Sequence, residues 1–288
     1  MKITNEILDD YSAHCHQMLI DEFGSYNQKE YDPIYLYQRY KCRVITSNKR
    51  VTFESLELFI PDKYRGAYLV IKSDIERGNP LKKYQSRQLK NLDYDDDMLS
   101  HWGVQHFHLG GILDADGYIS RTGELLFVHF TQTKAYILGI FSHDSWCDLD
   151  IIEVMHSNWP QELEMYKSDV ISQRLTSKDH KVLRNKHANT NVTVNDGTEY
   201  FAPGMGVTAN GAPINAVLNS DRLIFVLNSA FELIEKNISL ILNSDPSKSK
   251  LEQLTIGLES LISSDSFVFN IKETGFKFTL SNENEHEH

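Results

Sequence analysis

The chain has 288 residues, 41% hydrophobic and 24% charged, which is enough apolar material for a packed core. Its net charge of -11 argues against bulk affinity for nucleic acid. No run approaches the roughly 18 apolar residues of a membrane span, the start Met1–Glu6 lacks an apolar signal core, and Cys15, Cys42 and Cys147 are odd in number and far apart, so neither membrane nor disulfide scaffold is expected and a cytoplasmic setting is.

Residues 5–24 predict a helix: Ile7, Tyr11, Met18 and Phe23 fall near helical spacing, and Gly24 can stop it. Residues 35–47 and 51–59, rich in Tyr, Val, Ile and Phe, predict strands. Pro61-Asp62 opens a helix on which Tyr64, Ala67, Tyr68, Ile71 and Ile75 recur at spacings of three and four. After the acidic run Asp93–Asp97, the stretches Val104–Leu109, Glu124–Thr131 and Ala135–Ser142 predict an antiparallel meander, and 148–158 a helix. Residues 165–187 are polar and basic with no clear apolar stripe, and predict a linker or an exposed helix. Asn195-Asp196-Gly197 between two short apolar stretches predicts a hairpin, because Asp-Gly tolerates positive φ. A helix follows over 216–242, then a second carrying Leu251, Leu254, Leu258 and Leu261, then a hairpin of Ser266–Ile271 and Phe276–Leu280. The polar tail Ser281–His288 is expected to be disordered. The expectation is a two-domain α+β protein. Residues 1–164 would hold a helix-plus-meander domain, 165–187 a basic linker, and 188–288 a domain of hairpins and two long helices.

Charge is uneven along the chain. Residues 28–92 carry 14 basic and 7 acidic side chains, whereas 93–164 carry 2 and 13. Within the basic block, Lys63, Arg65, Lys82, Lys83, Arg87 and Lys90 are the candidate grip on a phosphate backbone. The plainer reading is a solvated face matched to acidic neighbours. The two leucine-striped segments within 216–263 are the candidate surface for a second copy or a protein partner.

No cofactor is expected: there is no phosphate loop ending in Lys-Ser/Thr, no Cys-x-x-Cys and no His-Glu-x-x-His, and Gly204-Met205-Gly206 reads as a tight turn. Five of the twelve histidines (His101, His106, His108, His129 and His143) fall within 43 residues. His106 and His108 stand two apart on a predicted strand and so share a face. His143 ends a strand of the same meander, with Arg121 and Trp146 near it in sequence. Three readings stay open. One is metal-free RNA cleavage, in which one imidazole removes the 2′-hydroxyl proton, another protonates the leaving 5′-oxygen, and a cation stabilises the phosphorane. The second is a metal-dependent hydrolase, with His-x-His supplying two ligands and His143 and Asp144 the others. The third is structural, with the imidazoles bonded to backbone or acidic neighbours. The other histidine groupings are plainer. His14 and His16 point to different faces of a helix, His156 reads as helix-end packing, and His286 and His288 belong to the tail.

The stretches Trp102–Gly110, Glu124–Phe130 and Ala135–Trp146, preceded by the 61–77 helix, resemble in order the RelE/ParE superfamily of bacterial toxins. The resemblance covers about 61–157, and His143 matches the family's histidine while Asp144 stands in place of its arginine. It implies a metal-independent endoribonuclease of toxin or phage-defence type. His106 and His108 would then be the acid–base pair, His143 and Arg121 would assist at the phosphate, RNA would be the substrate, and an antitoxin-like protein would be the partner. A non-enzymatic interaction module is the competing class.

Overall fold

The structure is a computed structural model, and it describes residues 1–27, 32–143, 145–170, 172–247, 251–263 and 266–280. Helices and strands mix in an α+β architecture. The tail from 281, with His286 and His288, lies outside the described residues, as does Asp144. Among the described residues no helix is long and apolar enough to cross a membrane.

The elements in chain order are β1 (Lys2–Asn5), α1 (Ile7–Phe23), α2 (Pro33–Arg43), β2 (Val51–Glu54), α3 (Asp62–Arg77), α4 (Asp97–Trp102), β3 (Val104–His108), β4 (Glu124–Phe130) and β5 (Lys134–Ser142). After these come α5 (Asp150–Asn158), α6 (Pro160–Leu163), β6 (Lys167–Ser168), α7 (Ser177–Arg184), β7 (Val192–Thr193) and β8 (Glu199–Tyr200). The last are α8 (Ile214–Lys236), α9 (Ile238–Ser244), β9 (Gln253–Ser263), β10 (Ser266–Ile271) and β11 (Phe276–Thr279). The chain forms two compact units: residues 1–38 with 218 onward, and residues 39–217. The expected split at 164–188 is therefore replaced by one in which the first unit is drawn from both ends of the sequence.

In that first unit the sheet order is β1-β9-β10-β11, with β1 parallel to β9 and the rest antiparallel. Ile7, Tyr11 and Cys15, each four residues apart on α1, are buried with Leu227 and Ile234 of α8 and with alternate residues Leu254, Ile256 and Leu258 of β9. The 251–261 segment is thus a strand and not the expected helix. Its leucines satisfy a spacing of three and four, but Leu254, Ile256 and Leu258 also alternate, and pairing on both edges decides for the strand. Gly257 lets α1 come close: a Cβ there would lie 2.5 Å from an Asp10 carboxylate oxygen. That carboxylate accepts the Leu258 N–H at 2.9 Å and Lys272 Nζ at 2.8 Å.

The second unit is built on the sheet β2-β5-β4-β3, with β2 parallel to β5 and the meander antiparallel. Strand alternation gives it two apolar faces. Phe107, Leu126, Val128 and Ile137 meet Tyr68, Ile71 and Ile75 of α3 on one face. Val104, Leu125, Phe127, Tyr136 and Leu138 meet α4, α5, α6 and the β7–β8 hairpin on the other. That hairpin turns at Gly197 as expected.

Two further expectations change. The 35–47 stretch is not a strand: its start is helical α2, with Pro33 as the first helical residue and the Asp32 carboxylate accepting the Ile34 N–H at 2.7 Å. Of the two readings of 165–187, the helix holds for part of the stretch, but it is not simply exposed. It holds β6 and α7, which starts at a capping box of Thr176 and Asp179 and buries His180 and Arg184. The Arg184 guanidinium lies 4.2 Å from the Trp102 ring centroid, so a charged side chain and not an apolar stripe seats the helix.

Ile71 is fully buried between α3 and the sheet. Ile71→Ala is expected to lower stability by about 2–5 kcal/mol. Thermal and denaturant melts check this, and an unchanged midpoint would contradict the packing.

Candidate active site

The site is positioned by charge before it is shaped by packing. Arg39 and Arg43 stand one helical turn apart on α2, both almost fully buried. Arg39 grips the Asp95 carboxylate with two nitrogens, at 2.8 and 2.6 Å, and the Asp93 carbonyl at 2.8 Å. Arg43 donates to the carbonyls of Asn91 at 3.0 Å, Leu92 at 3.3 Å, and Tyr94. The acidic loop is thereby fixed, and Asp96 caps α4 by accepting the Leu99 N–H at 3.0 Å. Gly103 ends α4 in the left-handed region, at φ 68°, and turns the chain straight into β3.

On β3, His106 and His108 point to the same face, opposite Phe127 and Leu125 of β4. Beside them lies a cavity of about 320 Å³ whose wall includes His106, His108, His143, Arg121, Trp146 and Asp95–Asp97. The four sequence-predicted catalytic candidates therefore share one cavity.

Their environments differ. His106 Nδ1 lies 3.6 Å from Asp96 Oδ2, which leaves Nε2 as the other ring nitrogen for the cavity. His108 is almost wholly buried, and its Nδ1 accepts the Thr122 backbone N–H at 3.2 Å. In the neutral ring the proton therefore sits on Nε2. Burial, aided by the neighbouring charges of His106, His143, Arg121 and Arg87, pushes the His108 pKa down to about 4. His143 is exposed at the end of β5, where its backbone N–H bonds the Gly123 carbonyl at 2.9 Å. Arg121 is exposed and forms no ion pair with the described residues. Burial raises the Asp97 carboxyl above the usual range.

The other two histidines of the cluster are structural. His101 is buried away from the cavity, its pKa pushed down to about 3 by burial and by Arg184 and His180. His129 bonds the Gly103 carbonyl at 3.0 Å and stacks on Tyr136.

The six basic candidates lie elsewhere, and none is among the residues that line this cavity. Lys63 pairs with Glu124, Arg65 with Asp62, and Lys83 with Asp74. Arg87 pairs with Asp114 and Asp116, and Lys90 with Asp116. Lys82 lies against Tyr40, 3.2 Å from its hydroxyl. Five of the six are thus matched to acidic groups, three of them to groups beyond the basic block. Asp96 and Asp97 were not among the catalytic candidates, although Asp95–Asp97 are the acidic neighbours that the structural reading of the histidines calls for. The available signal was an aspartate just before the apolar Met98-Leu99, an N-cap pattern.

Among the described residues no group of three or more His, Cys, Asp or Glu side chains is placed to hold a metal ion. The His-x-His metal reading also needed Asp144, which lies outside them. Comparison of the chain with protein-family models, curated proteins and solved structures finds no match.

The His108 shift sets a pH dependence. The folded protein favours the neutral ring, so the unfolded chain takes up the proton first as pH falls. The contribution is complete above about pH 6.5 and is lost as pH falls to about 4. Buried His180, pushed down to about 4, acts in the same sense. His108 alone is worth on the order of 3 kcal/mol across that window. Melting temperature should fall from pH 7 to 4, and less steeply in His108→Asn. A variant whose acid sensitivity matches the parent would contradict the assignment.

Proposed function

We propose that the cavity cleaves an RNA phosphodiester by metal-independent acid–base chemistry, as an endoribonuclease of toxin or host-defence type. The carrying observation is the convergence of His106, His108, His143 and Arg121 on one cavity of about 320 Å³, a volume within the small-molecule range. His106, which faces Asp96 at 3.6 Å, takes the proton of a ribose 2′-hydroxyl. The 2′-oxygen forms a bond to phosphorus, the bond from phosphorus to the 5′-oxygen breaks, and His143 returns a proton to that oxygen. The products are a 2′,3′-cyclic phosphate and a 5′-hydroxyl. Arg121 neutralises charge on the non-bridging oxygens.

His108 takes a different role from the one expected of it. A ring that stays neutral through physiological pH, with Nδ1 engaged by Thr122, is a poor proton acceptor and donor in an acid–base pair. Its Nε2–H instead donates a hydrogen bond to a phosphate oxygen. The pairing of the basic block with Asp62, Asp74, Asp114, Asp116 and Glu124 supports recognition of a single nucleotide in the cavity over a long phosphate track.

The test is cleavage of labelled RNA by the purified chain. The rate should be unchanged by EDTA and bell-shaped in pH. His106→Ala should cost about 10²–10⁴ in rate, and His108→Ala about 10²–10³ while leaving the shape of the pH profile intact. Full activity in both variants would refute the site, and loss of activity in EDTA would favour the metal-dependent reading.

A second reading, a protein-interaction role within 216–263, draws on the apolar side chains that α8 and α9 expose. Phe225, Leu233 and Leu240 all lie on the outside of these helices. We assign the protein to the cytoplasm on the odd, widely spaced cysteines. Sedimentation of the parent chain and of Phe225→Glu tests the interaction reading. A second copy bound through this face would give a dimer that the variant loses, and a monomer in both removes self-association.

A further inference from the structure

One wall residue of the cavity has no part in the proton transfers. Trp146 lines the cavity with the histidines and Arg121, and it stays half-exposed. The other two tryptophans of the chain, Trp102 and Trp159, are buried. The Trp146 ring stacks on no aromatic side chain among the described residues.

Helix α7 fixes this indole from three points. Ser177 Oγ accepts the Leu149 N–H at 3.4 Å. Arg184, 3% exposed, donates to the Trp146 carbonyl at 2.8 Å. One turn before Arg184, Lys181 Nζ lies 5.5 Å from the centroid of the Trp146 ring. Lys181 is exposed and forms no ion pair with the described residues. Beside its histidines the cavity therefore has a held aromatic ring, with an unmatched cation next to it. The six paired cations of the basic block offer no such combination. Single-stranded nucleic acid binds to this pair of features, because the ring takes the π-face of a base and the cation takes a phosphate. In a duplex both faces of each base are covered by its neighbours, so only a base outside the stack can reach such a ring.

We propose that the cavity takes an unpaired stretch of RNA, with one base stacked on the Trp146 ring and the phosphate next to that base held by Lys181. This rests on the nuclease reading of the cavity and narrows its substrate class to single strands. Trp146 and Lys181 act as specificity residues, and neither moves a proton. Every base has a π-face, so the selection is for an unpaired strand and not for a base sequence.

The experiment is a titration of the full chain followed by tryptophan emission, with three probes of equal length. They are a single strand of DNA, the same strand annealed to its complement, and a single strand whose bases are replaced by tetrahydrofuran spacers. DNA stacks as RNA does and lacks the 2′-hydroxyl that cleavage needs. The single strand should quench the emission and bind at least about tenfold more tightly than the spacer strand. The duplex should not quench. Trp146→Leu should lose the quench, because the two remaining tryptophans are buried. Lys181→Gln should flatten the dependence of log affinity on log salt by about 0.7, the share of one phosphate contact on a single strand. Trp146 also packs against the core, so a melt must show its variant folded; if it is not, the three probes on the unaltered chain decide, with Lys181→Gln. Equal binding of all three probes, or a full quench in folded Trp146→Leu, overturns the stacking assignment. Labelled RNA given to the same preparation separates the two readings: cleavage without any quench overturns the stacking and leaves the nuclease standing, and neither quench nor cleavage overturns both.

Discussion

Everything at the candidate site depends on two guanidiniums placed one turn apart on a single helix. Arg39 and Arg43 collect four backbone carbonyls and one carboxylate from residues 91–95. A loop with this many acidic groups would otherwise repel itself into solvent. Burial lowers the Arg43 pKa, because the charge has lost water, and the carbonyl dipoles replace part of what water supplied. The dependence then runs outward. The fixed loop sets Asp96, Asp96 caps α4 and faces His106, and the short helix delivers the chain through Gly103 onto β3. Removing Arg39 would take a donor from the Asp95 carboxylate and the Asp93 carbonyl, and removing Arg43 would take one from three carbonyls, a larger cost than the lost contacts alone.

The sheet supplies the second constraint, because period-two alternation cannot put His106 on one face without putting His108 there as well. The two rings nevertheless become chemically distinct. One faces a carboxylate at 3.6 Å. The other takes a backbone N–H and is stripped of solvent. Identical residues two positions apart are thus fitted for different work by what lies behind them.

Much of this was legible in the sequence, and the failures have physical causes. Alternation placed His106 and His108 together, and the meander order brought His143 to the same end. The α3 stripe and the Asp-Gly hairpin were local signals and proved sufficient. The α2 helix was hidden because tyrosine-rich composition suggests a strand, while its cap and its first-turn proline lie just upstream of the stretch read as β. Strand β9 was hidden because its leucines fit two periods, and only its neighbours choose between them. The burial of helix α7 was hidden because its anchor is Arg184 against Trp102, and no apolar pattern records a buried cation. The basic block misled for a related reason. Lys63 meets Glu124, and Arg87 meets Asp114 and Asp116, at separations where net charge per segment says nothing about pairing.

The pairing of β1 with β9 has a consequence for how the chain is made. Lys2 lies beside Gln253 and Asn5 beside Ile256, so β1 finds its neighbour only after some 250 further residues have been made. Residues 39–217 include every strand of the sheet that carries the histidines, and that unit can close on its own contacts during synthesis. The N-terminal segment must wait through all of it, with the apolar stripe of α1 uncovered. Loop-closure entropy rises only slowly with length, so the delay costs little in final stability. It costs time, and the interval leaves a nascent chain whose site-bearing unit is already formed while β1 and β9 are still apart.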